Sequence, residues 1–288
     1  MNEAPEKLSG MYRYTSIARP VDPAYLSNRT LLIILPVVAL LSAGLSYFDD
    51  VGVGPLSAAL SGSLTAFAAW ALTRELAPDY DGAAFVALTF AWAANIAFGA
   101  RLVMLLFVAM VLARVVNRST GLPLRLFDTL SVLGFCAWVA TSTQQPLVLL
   151  VASLAFFLDA RLEEPLRRHY LAAAVCLAVF AWMVADQAPV FAGDLMARDW
   201  LALGASALGV ALFVIINPEP VSYCDVSPRR LNRARASAGL VVGWLLAVQA
   251  VLTHGRSGWL ETAIWACMIA LLLSFAVRQE NRMRGHAT

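Results

Sequence analysis

LLIILPVVALLSAGLSYF, residues Leu31–Phe48, is a run of eighteen residues without a charge. A helix needs about 20 apolar residues, within a range of about 17–25, to cross the hydrocarbon core of a bilayer. This run meets that length. The segment before it is mixed in charge, with Glu3, Glu6, Lys7, Arg13, Arg19, Asp22 and Arg29. A secretory signal would place a short basic stretch directly before the apolar run. Residues 1–30 are therefore expected to form an uncleaved arm on the cytoplasmic side.

The rest of the chain repeats the pattern of that first run. Of its 288 residues, 60% are hydrophobic and 14% are charged, and the mean hydropathy is +0.71. Soluble domains carry about 25% charged residues and must present a polar exterior, which this composition cannot supply. The clear runs are Leu31–Phe48, Leu56–Leu72, His169–Asp186, Asp199–Ile216, Ala236–Thr253 and Trp259–Val277. Two longer stretches each hold a pair. Ala83–Val116 is broken at Gly99-Ala100-Arg101, and Leu126–Ala160 is broken at residues 142–146. The four helices in these pairs come out short, at about 22–24 Å by the 1.5 Å rise per residue. The expected fold is an all-α polytopic membrane protein of about ten transmembrane helices, with one membrane domain at 31–277 and a cytoplasmic tail at 278–288.

Basic residues orient it, because short cytoplasmic loops retain them. With ten spans and both termini inside, eighteen of the twenty-one Lys and Arg residues fall on the inner side. Only Arg101, Arg198 and Arg256 fall outside, one in each of three loops. Moving any one span would break this alternation from that point onward. Tyr47, Phe48, Trp138, Trp182, Trp200 and Trp259 come near outer helix ends, where an interfacial belt would lie. The basic stretch Arg229–Arg235 suits anionic lipid headgroups. Membrane lipids are thus expected partners, in an inner or plasma membrane of a cell, and nucleic acid is not.

Ten spans divide into Leu31–Thr141 and Leu147–Val277. Five spans per half would make the halves inverted relative to each other, a plan found in secondary transporters. In length, helix count and placement of its ends the chain resembles the drug/metabolite transporter superfamily. That resemblance is one of architecture and implies carriage of a small solute.

Candidate chemistry is sparse. No Asp, Glu, Lys or Arg lies near the middle of a span, where an ion-coupled pump would keep one. The neutral amides Asn95 and Gln249 lie deep in the third and ninth spans, and an unpaired amide in hydrocarbon is costly. With Trp92 and Trp244 nearby they form the candidate solute-binding set. Gly54-x-x-x-Ala58 and Gly62 give the second helix a small-residue face for close packing. Cys136, Cys176, Cys224 and Cys267 show no metal or disulfide spacing, and the three histidines stand singly. No cofactor is expected.

On the inner side, Asp79, Asp81, Asp159 and Glu163 could together hold magnesium against a lipid diphosphate, with Arg114, Arg118 or Arg161 on the phosphates. The motifs of known lipid enzymes are incomplete. Asp81-Gly82 lacks the continuation of a CDP-alcohol phosphotransferase motif, and Asp159-x-x-x-Glu163 only approximates the aspartate-rich pattern of UbiA-type prenyltransferases. The sequence therefore favours a secondary transporter or facilitator of a small organic solute. The alternatives are a membrane enzyme acting on a lipid or isoprenoid at the cytoplasmic face, and a non-catalytic subunit of a membrane complex. For protein contacts, a second copy of the chain or a membrane-complex partner is the expectation.

Overall fold

A computed structural model describes residues 10–48, 54–99, 103–186, 188–192, 194–260 and 262–285. Lys7, Arg101, Gln187 and Glu261, with Ala100 at the predicted break, lie outside the described residues. Among the described residues the fold is all-helical, with a single isolated bridge between Tyr223 and Arg230. The helices are α1 (Leu26–Leu45), α2 (Pro55–Leu76), α3 (Asp81–Phe98), α4 (Val103–Asn117), α5 (Leu126–Thr143), α6 (Leu147–Asp159), α7 (His169–Ala185), α8 (Ala197–Ile216), α9 (Arg233–His254), α10 (Arg256–Leu260) and α11 (Ile264–Gly285). Six of them, α1, α2, α3, α5, α8 and α9, are long and apolar enough to cross a membrane. The apolar helices α4, α6 and α7 are shorter, at 13 to 17 residues.

Local chemistry explains the ends. Pro55 opens α2, where its missing N–H costs nothing. Asn232 caps α9 by accepting the backbone N–H of Arg235 at 3.0 Å. Gln144, in the left-handed conformation, closes α5 just before Pro146 starts α6. The run Trp259–Val277 is not one helix: α10 stops at Leu260, and α11 restarts at Ile264 and continues to Gly285. The predicted tail at 278–288 is thus largely helical. Gln279, Glu280 and Arg282 are good helix formers, and Glu280 pairs with Arg284 one turn on at 2.5 Å.

The core is formed by α2, α4, α6 and α9, which pack on one another, with α1, α3, α5, α7, α8 and α11 around them. Small residues let the inner backbones approach. A Cβ on Gly239 would lie 1.9 Å from Asn117 Oδ1, and one on Gly243 would lie 2.8 Å from Leu76. Gly239-x-x-x-Gly243 is thus the seam by which α9 meets α2 and α4. Gly62 serves likewise between α2 and α1, where its Cβ would lie 2.2 Å from Ser42 Oγ. Gly54 faces open space and serves no contact.

Outside the core the surface is apolar, with Leu40, Leu56, Leu171, Leu201 and Ile215 all strongly exposed. Such a surface fits a membrane-embedded protein. The two halves repeat each other's packing only in part: α1–α2 and α6–α7 meet to the same extent, but the next pair does not. The α2–α3 interface is extensive, whereas the corresponding α7–α8 contact is almost absent. The inverted-repeat expectation is not established by the contacts: α4 does meet its counterpart α9 at the centre, but α7–α8 does not match α2–α3.

Candidate functional site

From Gly10 onward the arm is docked on the bundle. Its 3-10 turn, Gly10–Arg13, leads to Thr15 and Ser16, whose hydroxyls donate to Asp128 at 2.6 and 2.7 Å, with the Ser16 N–H adding a bond at 2.8 Å. Asp128 sits in the first turn of α5, where a carboxylate complements the helix N-terminus. Thr120 returns a bond to Ser16 O at 2.7 Å. The arm is thereby tied to α5 and to the α4–α5 loop.

Beyond Ser16 the arm roofs a cavity of about 570 Å³ bounded by α1, α2, α4 and residues 222–225. Arg19 spans it, donating to Asp225 at 2.5 and 2.7 Å and to Glu75 Oε1 at 2.7 Å. Arg114 reaches the same oxygen at 2.9 Å and the carbonyl of Ile17 at 3.1 Å. Glu75 is buried in the last turn of α2, and Asn117 donates to its backbone carbonyl at 2.6 Å. Glu75 Oε2 is buried without a hydrogen-bond partner, as is Trp70 Nε1, also on the lining. Arg74 lies over the Trp70 ring at 5.6 Å and pairs with Asp81 at 2.8 Å. Tyr12, Tyr25, Phe67 and Tyr223 add aromatic surface. The charged lining is balanced: Arg19, Arg74 and Arg114 against Asp22, Glu75 and Asp225. Burial disfavours the charged Arg19 guanidinium, but Glu75 and Asp225 outweigh that and raise its pKa above the usual arginine value. The Cys224 thiol is pushed up, chiefly by burial.

A second polar centre lies at the same end of the bundle. Asp159, fully buried, takes both oxygens of its carboxylate to Arg118 at 2.8 and 2.9 Å, and receives Arg235 at 2.8 Å. His169 Nδ1 stands 2.7 Å from Asp159 Oδ2, and His169 Nε2 stands 3.0 Å from Thr129 Oγ1. Threonine, histidine and carboxylate in that order have the spacing of a nucleophile–base relay. All three are buried and none lines the cavity, so no substrate can reach the hydroxyl. Thr129 also donates to Arg125 O at 3.1 Å. Arg118 further donates to Glu164 O at 2.9 Å, and Arg235 to Val116 O at 2.8 Å and to Glu163 O. The centre is a knot that ties the ends of α4 and α6 to the starts of α7 and α9. Arg118 and Glu164, with φ of 49° and 56°, take the left-handed conformation to reach it.

The four carboxylates considered for a metal do not converge. Asp79 accepts Val221 N, Ser222 N and Ser222 Oγ at 2.9, 3.0 and 2.5 Å, while Asp81 pairs with Arg74. Asp159 is enclosed by cations, and Glu163 accepts Asn232 Nδ2 at 2.6 Å. Among the described residues no three His, Cys, Asp or Glu side chains gather as a metal would require. Each of these acids has instead been taken up by donors of the chain itself.

The candidate solute-binding residues are also dispersed. Asn95 Oδ1 accepts Ser61 Oγ at 3.1 Å, and Trp92 Nε1 donates to Ser42 at 2.9 Å. Gln249 donates to Gln145 at 3.1 Å, and Trp244 Nε1 donates to Ser206 at 3.0 Å. They join α3 to α2 and α1, and α9 to the α5–α6 turn and to α8. None of the four lines the cavity. The residues that do line it went unselected as a set, although two signals pointed toward them. Arg74-Glu75 ends an otherwise apolar helix, and Arg114 interrupts the apolar run of α4. No family model matches the chain, and no curated protein or solved structure matches it either.

Proposed function

We propose that the chain is a multi-pass carrier of an inner or plasma membrane, a secondary transporter or facilitator of a small organic solute. In this reading it has ten spans, both termini are cytoplasmic, and the cavity beneath the arm is its cytoplasmic vestibule. The observation that carries the reading is that cavity, of about 570 Å³ and walled by aromatic rings and paired charges. Ligand sites generally enclose about 300–1,000 Å³ and combine apolar walls with a few placed polar groups. The ten-span topology is supported by the meeting, at one end, of the loops that carry Arg74, Arg118, Arg125, Arg167, Arg168 and Arg229. An enzyme acting on a lipid diphosphate loses support because the carboxylates are dispersed.

The test is uptake by the purified chain in sealed vesicles, with a panel of labelled small organic solutes. Saturable uptake that falls at least about tenfold in Arg19→Ala supports the carrier. Absence of uptake across the panel would leave the subunit reading in its place. Topology is checked in a Cys224→Ser background by single cysteines at Tyr47, Arg198 and Arg229. An impermeant thiol reagent should label the first two from outside intact cells and the third only after the membrane is opened. Labelling of the Arg229 position from outside would overturn the orientation.

A further inference from the structure

We infer that a groove between α3 and α11 binds an anionic phospholipid, its phosphate on Arg278 and Arg282 and its acyl chains against Val86, Leu273 and Val277. The groove encloses about 670 Å³ and has Ser274 and Asn281 on its lining as well. This goes beyond the carrier reading and needs only that the bundle sits in a bilayer. The sequence of α11 sets the depth. Ile264–Val277 carries no charge, and Arg278 is the first charged residue after it. In α3 the order is reversed: Asp81 starts the helix, and no charge follows before its end at Phe98. The two helices pack extensively on each other, and Arg278 lies 4.8 Å over the ring of Tyr80, at the start of α3. Both helices therefore pass from apolar to polar at one level, where hydrocarbon meets headgroups. Leu273 comes five residues before Arg278, about 7.5 Å deeper along the helix axis. Val86, Leu273 and Val277 are all exposed. A phosphate at the two arginines brings the first methylenes of its acyl chains onto these side chains.

Charge selects the headgroup. The arginines of the cavity and of the knot are each paired with a carboxylate. The lining of this groove has two arginines and no acid. Glu280, the acid between them in sequence, pairs with Arg284 instead. Tyr80 is a fixed platform for Arg278: its hydroxyl donates to Asn217 at 2.8 Å, and its ring tilts against Phe213 at 5.6 Å. An aromatic face holds a guanidinium in place without neutralising it, which leaves the charge and the N–H donors of Arg278 to a phosphate oxygen. A zwitterionic headgroup would bring an ammonium beside two uncompensated cations.

The test is photolabelling of the full chain in phosphatidylcholine nanodiscs that hold a trace of phosphatidylglycerol with a diazirine near the head of one acyl chain. Labelled sites are read by peptide mass spectrometry. Labels should fall on α11 and on the first turns of α3. They should be at least about fivefold more abundant than with phosphatidylcholine carrying the same diazirine, the factor one basic residue near the surface supplies. Arg278→Gln with Arg282→Gln should bring labelling of these peptides down to the phosphatidylcholine level. If that variant does not fold, Arg282→Gln alone, at an exposed position, should still lower labelling about fivefold. Removing the same charge elsewhere at this end of the bundle, in Arg161→Gln with Arg167→Gln, should leave labelling of α3 and α11 unchanged. Equal labelling by the two lipids would overturn the inference. So would an equal loss in the two charge-removing variants, since general surface charge would then account for it. No arm of the test involves solute uptake, so its failure and the failure of the carrier reading are read separately.

Discussion

Replacing Asp159 by alanine removes the one anion at the centre of the buried knot and leaves its partners in place. Arg118 and Arg235 have side chains only 5% and 6% exposed, and Asp159 is 0% exposed. Neither guanidinium can turn to water without dragging a helix end with it. Breaking a buried pair from one side costs about 3–5 kcal/mol, because the remaining charge is uncompensated. Here two charges are stranded, so the upper part of that range is expected, a large fraction of a typical stability of about 5–15 kcal/mol. The exposed pair Arg229–Glu164 is the internal control, with side chains 68% and 55% exposed. Glu164→Gln should cost no more than about 1 kcal/mol. Thermal unfolding of both variants in detergent, followed through tryptophan emission, should separate them clearly. Adding Arg235→Met to Asp159→Ala removes one stranded cation and should recover part of the loss. A melt for Asp159→Ala no lower than that for Glu164→Gln, or a further fall in the double variant, would refute the account of the knot.

Gly239→Val should destabilise by about 1–3 kcal/mol through overpacking, since even a Cβ there meets Asn117 Oδ1 at 1.9 Å. Gly44→Ala, in open space in α1, should be neutral or slightly stabilising in the same melts. Gln249→Leu strands the fully buried amide of Gln145 and should cost about 1–3 kcal/mol, read as lower folded yield and an earlier melt. An unchanged melt with lost uptake would instead place Gln249 on a solute path. Cys224 has a pKa raised by burial, so at neutral pH less of it is thiolate than in a free cysteine. Maleimide labelling in opened membranes should be slower than for free cysteine and should still be climbing above about pH 9, where a free thiol levels off. A rate that levels off with that of free cysteine would show that burial does not control this thiol.

Hydropathy and charge, summed along the chain, were sufficient to predict helices in Leu31–Phe48, in the paired stretches on either side of Gly99 and Pro146, and in Ala236–Thr253. They also grouped the basic loops that meet at one end of the bundle. These are local properties: a run of apolar residues seeks a helix in an apolar medium whatever lies elsewhere in the chain, and Pro55, Pro146 and Gln144 mark ends through their own backbone preferences. Which polar groups pair is not local. Thr15 and Ser16 meet Asp128 across more than a hundred residues, Arg19 meets Glu75 and Asp225, and Asp159 gathers Arg118, His169 and Arg235. Of the acids that lie close in sequence, Asp81 pairs with Arg74 nearby, while Asp79, Asp159 and Glu163 find partners from distant segments rather than in one another. In sequence these charges read as helix ends or as a candidate magnesium set. Only the packing of α2, α4, α6 and α9 through Gly239 and Gly243 sets which ends are buried together, and burial is what makes an ion pair binding rather than incidental.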